Sequence, residues 1–251
     1  FETFPAGKVF PLGPNEARTY GLDTKVRPEM TYAFAPEPQK SLPIVGGETC
    51  FPVRRIFCVG RNYVAHAAEM GGEVDREAPW YFTKSPHSLA QSGVTVPYPQ
   101  GTQNYHHEVE FVVALGPDAT VFGYACGLDM TRRDLQQIGK DNRRPWDLGK
   151  DVEDSAVIGD ITLAAAFGAV YDQSISLQVN EAIRQNGLLS DMVWSVPDLI
   201  AHLSVFYILG AGDVIMTGTP SGVGPVVPGD VITASVAGLS TVRLTIAPHT
   251  V

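Results

Sequence analysis

Two glutamates stand two residues apart at the start of an apolar run. The stretch NYHHEVEFVVALG occupies residues 104–116 and predicts a strand over 108–115. Because residues i and i+2 of a strand point to the same face, Glu108 and Glu110 should share one side of it. Adjacent carboxylates repel each other and are costly to desolvate. A divalent cation that prefers oxygen ligands would compensate both charges, although a solvated strand face would also accept the pair.

A third carboxylate would strengthen the metal hypothesis. Asp129 ends the apolar run FGYACGLDM, which predicts a strand, and it directly precedes the stretch TRRDLQQIGK. The latter predicts a helix that Thr131 opens, with Asp134 three residues later in a variant of the capping box. Asp129 is therefore either a third oxygen ligand or a residue that flanks the start of this helix.

A histidine and a glutamate form a second candidate pair. NYVAHAAEMGG predicts a short helix opened by Asn62 as N-cap and closed by Gly71. His66 and Glu69 are at i and i+3, so they share a face, where the carboxylate could orient the imidazole and the pair could take a proton from water. A surface pair of no catalytic consequence has the same spacing. The motif is not HExxH, which argues against a zinc protease.

A lysine and a glycine-rich segment complete the candidates. Lys150 stands between RPWDLG and DVED, where it is either a cation that stabilises developing negative charge or part of a solvated loop. The segment MTGTPSGVGP lacks the GK[ST] ending of a phosphate-binding loop. It predicts either tight turns or backbone N–H groups that face an anion.

The composition argues against several classes of protein function. The 251 residues carry a net charge of −9 with only 18 Lys plus Arg, which argues against nucleic-acid binding. No apolar run reaches membrane-spanning length and no signal-peptide pattern begins the sequence, so no membrane association and a cytoplasmic location are expected. Three cysteines without a CxxC spacing predict reduced, buried thiols rather than a disulfide framework or a zinc knuckle.

The elements that must position these residues lie mainly after residue 50. Residues 1–50 are rich in Pro and Gly and predict an extended N-terminal arm, and Met30 raises the alternative that residues 1–29 are a leader. Residues 51–251 predict one catalytic domain. There, RRIFCVG, PWYFTK and LQVNEAIRQNG predict strands with turns, VPDLIAHLSVFYIL predicts a helix with Pro197 at its start, and short β-runs follow. The mixture predicts a β-rich α+β fold.

Five motifs in this order resemble the fumarylacetoacetate hydrolase superfamily. They are GRNYVAHAAEMG, HHEVEFVVALG, GLDMTRRDLQ, RPWDLGK and MTGTPSGVGPVVPGD. The resemblance extends from about residue 51 onward and is closest to the members that hydrolyse fumarylpyruvate in gentisate degradation. It implies a mixed β-roll core with peripheral helices, a homodimer and a hydrolase acting on carbon–carbon bonds in ketonic substances. One departure is that KDVED follows the family's lysine, which places Asp151 and Glu153 beside Lys150.

The resemblance also implies roles for particular residues. It implies Mg²⁺ or Mn²⁺ held by Glu108, Glu110 and Asp129. It implies that His66 and Glu69 activate water and that Lys150 is the cation near the reacting oxygens. Three further positions match residues that contact the oxo-acid end of the substrate, namely Arg133, Gln136 and Thr219.

The implied reaction cleaves an acylpyruvate, with fumarylpyruvate giving fumarate and pyruvate. Activated water attacks the distal carbonyl, and the departing enolate of pyruvate is stabilised by positive charge. The second carboxylate of fumarylpyruvate needs a partner, for which Arg144, just before PWDLGK, is the candidate; Arg143 or a solvated basic loop is the alternative. A decarboxylase of oxaloacetate or an oxo-diacid isomerase would use a similar enolate. A non-catalytic, metal-binding dimer is a further alternative, supported only by KDVED.

Overall fold

The computed structural model describes residues 32–249. From Gln39 onward the described chain forms one compact unit, whereas residues 32–38 contain no helix or strand. The proposed leader at residues 1–29 lies outside the described residues, and the predicted domain boundary at residue 50 stays a prediction.

The compact unit contains eighteen strands and five helices. The strands are β1 Ser41–Pro43, β2 Cys50–Pro52, β3 Arg55–Gly60, β4 Trp80–Lys84, β5 Leu89–Gln91, β6 Thr95–Pro97, β7 Tyr105–His107, β8 Val109–Leu115, β9 Val121–Asp129, β10 Thr131–Arg132, β11 Ala156–Ile158, β12 Thr162–Leu163, β13 Ser174–Val179, β14 Ala182–Leu188, β15 Asp213–Met216, β16 Gly224–Val226, β17 Val231–Val236 and β18 Val242–Ala247. The helices are α1 Val64–Glu69, α2 Arg133–Asp141, α3 Asp147–Lys150, α4 Ala164–Phe167 and α5 Val196–Phe206.

A mixed eight-stranded sheet is the centre of the fold. Its order is β4-β3-β15-β8-β9-β11-β5, with β12 paired to β9. Strand β15 lies parallel to β3 and antiparallel to β8, although it comes far later in the chain than either. Every residue of β8 is buried, which indicates that both faces of this part of the sheet are covered.

Two apolar clusters cover the two faces. Phe111 and Val113 pack in the larger cluster with residues of the five-stranded sheet β14-β13-β17-β18-β6 and of α5. Val112 and Ala114 pack in the smaller cluster, which includes Leu42 and Phe51 of the β1–β2 pair. Glu110 has the parity of Val112 and so lies on the opposite side of β8 from Phe111, as the sequence predicts.

Several predicted elements are confirmed by the structure. The hairpin β13–β14 turns at Asn180 and Glu181, both with positive φ, as a two-residue hairpin turn requires. Helix α5 begins after Ser195, whose hydroxyl accepts the N–H of Asp198, with Pro197 in its first turn. The β-rich α+β prediction is thus confirmed. Among residues 32–249 no helix is long and apolar enough to cross a bilayer.

The structure contradicts two predicted helix N-caps and the predicted burial of one cysteine. Helix α1 has Tyr63 at its N-cap, because the side chain of Asn62 donates to the carbonyls of Trp194 and Thr217 instead. Helix α2 has Arg132 at its N-cap, because Thr131 pairs in β10 with strand β7. Cys58 and Cys126 are buried and free, as expected, but Cys50 is exposed.

Candidate active site

Three buried carboxylates meet where strands β8 and β9 lie side by side. Glu108 occupies the single position between β7 and β8, where the chain passes from one sheet to another. The N–H of Asp129 donates to the carbonyl of Glu108, which fixes these two residues next to each other. One oxygen from each of Glu108, Glu110 and Asp129 lies within 4.8 Å of the others. The structure therefore brings together the three carboxylates that the sequence predicted.

Positive charge is distributed unequally among these carboxylates. Glu108 contacts the guanidinium of Arg133 and lies 2.7 Å from the Lys150 ammonium. Burial alone would raise the pKa of Glu108, but Lys150 and Arg133 outweigh it and hold that pKa well below its usual range. Glu110 accepts only the N–H of Gly218, at 2.7 Å. Burial, together with Asp129 and Glu108, raises the pKa of Glu110 well above its usual range.

Lys150 is buried inside the cluster. Its ammonium donates to Glu108, to Asp129 at 2.5 Å and to the hydroxyl of Thr131 at 2.7 Å. Burial would lower the pKa of Lys150, but Asp129 and Glu108 outweigh it and raise that pKa. The solvated-loop alternative is therefore wrong. All three ammonium donors are used by protein groups, so a role beside the reacting oxygens stays a proposal.

Sequence reasoning missed a second buried lysine. The Lys84 ammonium lies 3.0 Å from Asp129 Oδ1, and both side chains are completely buried. Lys84 also donates to the carbonyl of Met130 and to the hydroxyl of Ser155. A lone lysine in the apolar strand β4 gave no signal of this contact, because Asp129 ends β9, five strands further along the chain.

The cluster fits a hard divalent cation. Two carboxylates about 5 Å apart repel by about 3–4 kcal/mol at an effective dielectric constant of about 20, and in the described part of the chain no cation contacts Glu110 to offset this. Asp129 Oδ1 is buried without a hydrogen bond, despite the nearby Lys84 ammonium. An all-oxygen donor set of this kind suits Mg²⁺ or Mn²⁺. The residues that would hold such an ion are Glu108, Glu110 and Asp129.

The two residues of the predicted acid–base pair lie close together next to the carboxylates. His66 is buried on α1, and its Nδ1 lies 3.5 Å from Glu69 Oε2 without a hydrogen bond. Both oxygens of Glu69 accept the N–H of Gly222, so the glycine-rich segment orients this carboxylate. Burial is the main cause that lowers the pKa of His66; Arg133 and Lys150 act in the same direction, against Glu108 and Glu69. The imidazole is consequently neutral near pH 7 and able to accept a proton.

Arg133, Gln136 and Thr219 line the same cleft. Arg133 donates to Gln136 Oε1 at 2.6 Å, so one turn of α2 presents both side chains together. The hydroxyl of Thr219 accepts from Gln185, a buried residue whose Oε1 accepts the N–H of Val109. Gln185 thereby joins the glycine-rich segment to the start of β8, a role that its place in the hairpin did not indicate.

Arg144 does not line this cleft. It is exposed and lines an adjoining depression that shares Trp80, Phe82, Trp146 and Lys150 with the cleft. Two other cations, Arg61 and Lys140, line the cleft instead. The role predicted for Arg144 at the distal carboxylate stays a prediction.

The acidic residues that follow Lys150 do not enter the cleft. Asp151 accepts hydrogen bonds from the N–H and the hydroxyl of Ser85, both at 2.9 Å. Glu153 is exposed and lines a different depression. The departure KDVED therefore fastens the loop after β4 to the end of α3 and leaves the charge of the carboxylate cluster unchanged.

Comparisons with known proteins agree with this geometry. The family described as Fumarylacetoacetate (FAA) hydrolase C-terminal matches residues 55–247. A fumarylpyruvate hydrolase from Ralstonia sp is 45% identical over 192 residues, which cover 71% of this chain and 99% of that protein. Oxaloacetate tautomerase FAHD1 of Arabidopsis thaliana is 40% identical over 199 residues, 75% of this chain and 89% of that protein.

A solved structure extends the likeness to the fold. The fumarylpyruvate hydrolase of Pseudomonas aeruginosa, in complex with Mn²⁺ and pyruvate, superposes with a TM-score of 0.83 at 41% identity. The match covers 87% of this chain and all of that one. The predicted fold type and enzyme class, a hydrolase acting on carbon–carbon bonds, are confirmed by these relatives. The chain belongs to the fumarylacetoacetate hydrolase family.

Proposed function

We propose that the chain is a metal-dependent acylpyruvate hydrolase whose substrate is fumarylpyruvate and whose products are fumarate and pyruvate. One observation carries the proposal: a buried cluster of three carboxylates shares a single cleft with a neutral histidine that is paired to a glutamate. The fumarylpyruvate hydrolases similar to this chain support the choice of substrate, and one of them binds Mn²⁺ and pyruvate. Either Mg²⁺ or Mn²⁺ suits the oxygen donors.

The histidine and the glutamate activate the water. His66 Nδ1 faces Glu69, which leaves Nε2 to accept a proton from a water molecule in the cleft. Glu69 stabilises the imidazolium that forms, and Gly222 holds Glu69 in place. The resulting hydroxide attacks the distal carbonyl carbon of the acylpyruvate. General base catalysis of this kind contributes about 10²–10⁴-fold to the rate.

Positive charge stabilises the leaving group. When the carbon–carbon bond breaks, its electron pair passes to pyruvate as the enolate, and the imidazolium returns its proton to complete the products. A bound dication would supply Lewis-acid stabilisation of the oxo-acid oxygens. Arg133 and Gln136 orient the oxo-acid end, and Lys150 adds a buried positive charge beside it.

Oxaloacetate tautomerisation or decarboxylation is the second candidate. It is favoured by the relatives that carry the oxaloacetate tautomerase name at 40% identity, and it requires the same enolate stabilisation. The two candidates differ in their need for water: hydrolysis consumes a water molecule, whereas enolate chemistry on oxaloacetate consumes none. The His66–Glu69 pair therefore favours hydrolysis over decarboxylation, whereas tautomerisation would also use a base to move its proton.

A pyruvate-release assay tests the proposal. The purified protein is given fumarylpyruvate, acetylpyruvate or oxaloacetate with Mg²⁺, Mn²⁺ or EDTA. We expect fumarylpyruvate to have the highest kcat/KM, with reversible loss of activity in EDTA. Full activity in EDTA would contradict the metal role, and the absence of pyruvate release from any acylpyruvate would contradict the hydrolase function.

A His66→Ala variant separates hydrolysis from decarboxylation. We expect a fall of about 10²–10⁴-fold in acylpyruvate hydrolysis and a smaller change in oxaloacetate decarboxylation, because only the hydrolysis needs a base for water. Mn²⁺ titration of the variant provides the control for an intact metal site. An equal fall in both reactions, with normal Mn²⁺ binding, would contradict water activation by His66. The homodimer and the cytoplasmic location stay predictions.

A further inference from the structure

Two cations in the cleft wall have no acidic partner. Arg61 and Lys140 are partly buried, and within residues 32–249 neither side chain forms an ion pair or a hydrogen bond. The other two cations of the wall, Arg133 and Lys150, are engaged by Glu108 and Asp129. Burying positive charge without a partner is unfavourable, so a cleft built in this way favours an anionic ligand.

The two free cations are held in place by their surroundings. The Lys140 ammonium lies 5.0 Å from the centre of the Trp146 ring, and Trp146 contacts Trp80 edge to face. A Cβ on Gly72 would lie 2.4 Å from Nη1 of Arg61, so the absent side chain at Gly72 makes room for the guanidinium. Arg61 has a φ of 59°, a backbone conformation that arginine rarely adopts. The fold thus aims both side chains at the cleft.

The positive charges are mutually close. The pKa of Lys140 is lowered to about 8, mainly by burial and to a smaller extent by the nearby charges of Arg133 and Arg61. Lys140 and Arg61 are also more exposed than the carboxylate cluster, which is almost completely buried. They therefore lie on the solvent side of the cleft, while the carboxylates and Lys150 lie at its buried end.

We propose that Arg61 and Lys140 form the subsite for the terminal carboxylate of the acyl chain, so that the enzyme prefers acylpyruvates with a second carboxylate at the far end. The proposal rests on the acylpyruvate hydrolase function proposed above. An extended substrate with its oxo-acid end at the buried carboxylate cluster directs its other end toward solvent, where these cations stand. Arg61 offers a bidentate guanidinium and Lys140 a point charge.

Two substrates of equal length test the subsite. Fumarylpyruvate ends in a carboxylate, and crotonylpyruvate has a methyl group in its place. The variants Arg61→Met and Lys140→Met remove the charge and keep a long side chain. We expect each to reduce kcat/KM for fumarylpyruvate about 10- to 100-fold, the effect of a lost hydrogen bond to a charged group, and to change crotonylpyruvate less than about threefold.

Two further variants serve as controls. One displaces a positive charge without removing it, and the other removes a positive charge outside the cleft. Gly72→Ala keeps both charges but displaces the Arg61 guanidinium, so we expect a smaller loss that is again confined to fumarylpyruvate. Arg243→Met removes an exposed positive charge from β18, away from the cleft, and should leave both substrates unchanged. Fumarate binding, followed by tryptophan fluorescence in EDTA, gives a readout without turnover; its Kd should rise about tenfold in Arg61→Met and Lys140→Met.

The outcomes distinguish an error in the proposed subsite from an error in the proposed hydrolase function. If wild-type protein hydrolyses both substrates and the variants lower both equally, the hydrolase function stands and the subsite is wrong. If wild-type protein hydrolyses neither, the hydrolase function is wrong, and an unchanged Kd for fumarate would overturn the subsite as well. A selective loss of fumarylpyruvate activity in Arg144→Ala but not in Lys140→Met would also overturn it and assign the distal carboxylate to Arg144.

Discussion

Glu110 and Asp213 are both buried carboxylates on adjacent strands of the central sheet, but their surroundings differ. Asp213 receives two hydrogen bonds from Arg54 and two from Arg55, at 2.6–2.9 Å, and a fifth from the N–H of Gly210. Glu110 receives one, from Gly218. Burial would raise the pKa of both, but the arginines lower the pKa of Asp213, whereas that of Glu110 is raised further by Asp129 and Glu108.

The difference indicates that Asp213 is a structural carboxylate, whereas Glu110 is a candidate ligand for an external cation. Two protein cations neutralise Asp213, and the resulting cluster joins the starts of β3 and β15. Arg133, Lys150 and Lys84 contact the other two carboxylates of the cluster, and within residues 32–249 no cation forms an ion pair with Glu110. A fold tolerates such a group when an external cation restores the balance, which is why the missing partner of Glu110 points to the metal.

The largest expected effect is the loss of activity on removal of Glu110. Glu110→Ala removes one of three candidate ligands, so Mn²⁺ affinity should fall at least about 100-fold and hydrolysis should be abolished under ordinary metal concentrations. Mn²⁺ titration calorimetry and pyruvate release measure the two effects. Retained Mn²⁺ affinity would place the metal elsewhere.

Removal of Asp213 should affect stability and leave the chemistry intact. Asp213→Asn deprives two arginines of their shared partner, and we expect a loss of about 2–3 kcal/mol in the free energy of unfolding. The loss is below that of a fully buried pair because Arg54 and Arg55 remain 49% and 34% exposed. Urea unfolding measures the loss, and Mn²⁺ affinity should stay normal. A loss of Mn²⁺ affinity would contradict the separation of the two roles.

Glu110→Gln should have the opposite effect on stability in metal-free protein. The amide is neutral at every pH and is not repelled by Asp129 and Glu108 as an ionised Glu110 is, so we expect the melting temperature in EDTA to equal or exceed that of wild type by a few degrees. With Mn²⁺ added, wild type should gain stability and the variant should gain much less. A lower melting temperature in EDTA would show that the protein itself already satisfies Glu110.

The smallest effect is the pH dependence of the Asp213 cluster. Because folding depresses the pKa of Asp213, its stabilisation is complete above the unfolded-state pKa of about 3.9 and is lost as the pH falls through the folded-state value. Asparagine does not titrate. The stability gap between wild type and Asp213→Asn should therefore be constant from pH 7 to about 5 and shrink below about pH 4. A gap that shrinks between pH 7 and 5 would exclude this carboxylate as its source.

The parts of the site that depend on strand parity were predictable from the sequence. Glu110 and Asp129 are placed by alternation along two neighbouring strands, and an apolar run fixes that alternation on each side. His66 and Glu69 are placed by helical spacing within one short segment. In each case, a regular period of two or 3.6 residues determines which side chains share a face.

The parts that depend on partners distant in the chain were not predictable. Asn62 and Thr131 have the residue types of helix caps, but carbonyls of Trp194 and Thr217 and the Lys150 ammonium engage them instead. Lys84 and Arg61 carry no local signal of their surroundings. Local propensity decides a side chain's role only where no tertiary partner offers a stronger interaction.

The insertion of β15 between β3 and β8 has a consequence for synthesis. Until residues 213–216 leave the ribosome, the facing edges of β3 and β8 have no partner, and Gly218, the only hydrogen-bond donor to Glu110 in the described chain, is still absent. The central sheet is therefore a late event in the growth of the chain, and pairings across so many residues form slowly. A nascent chain exposes both unpaired strand edges from the synthesis of β8 until that of β15, and we expect it to depend on chaperones during this interval.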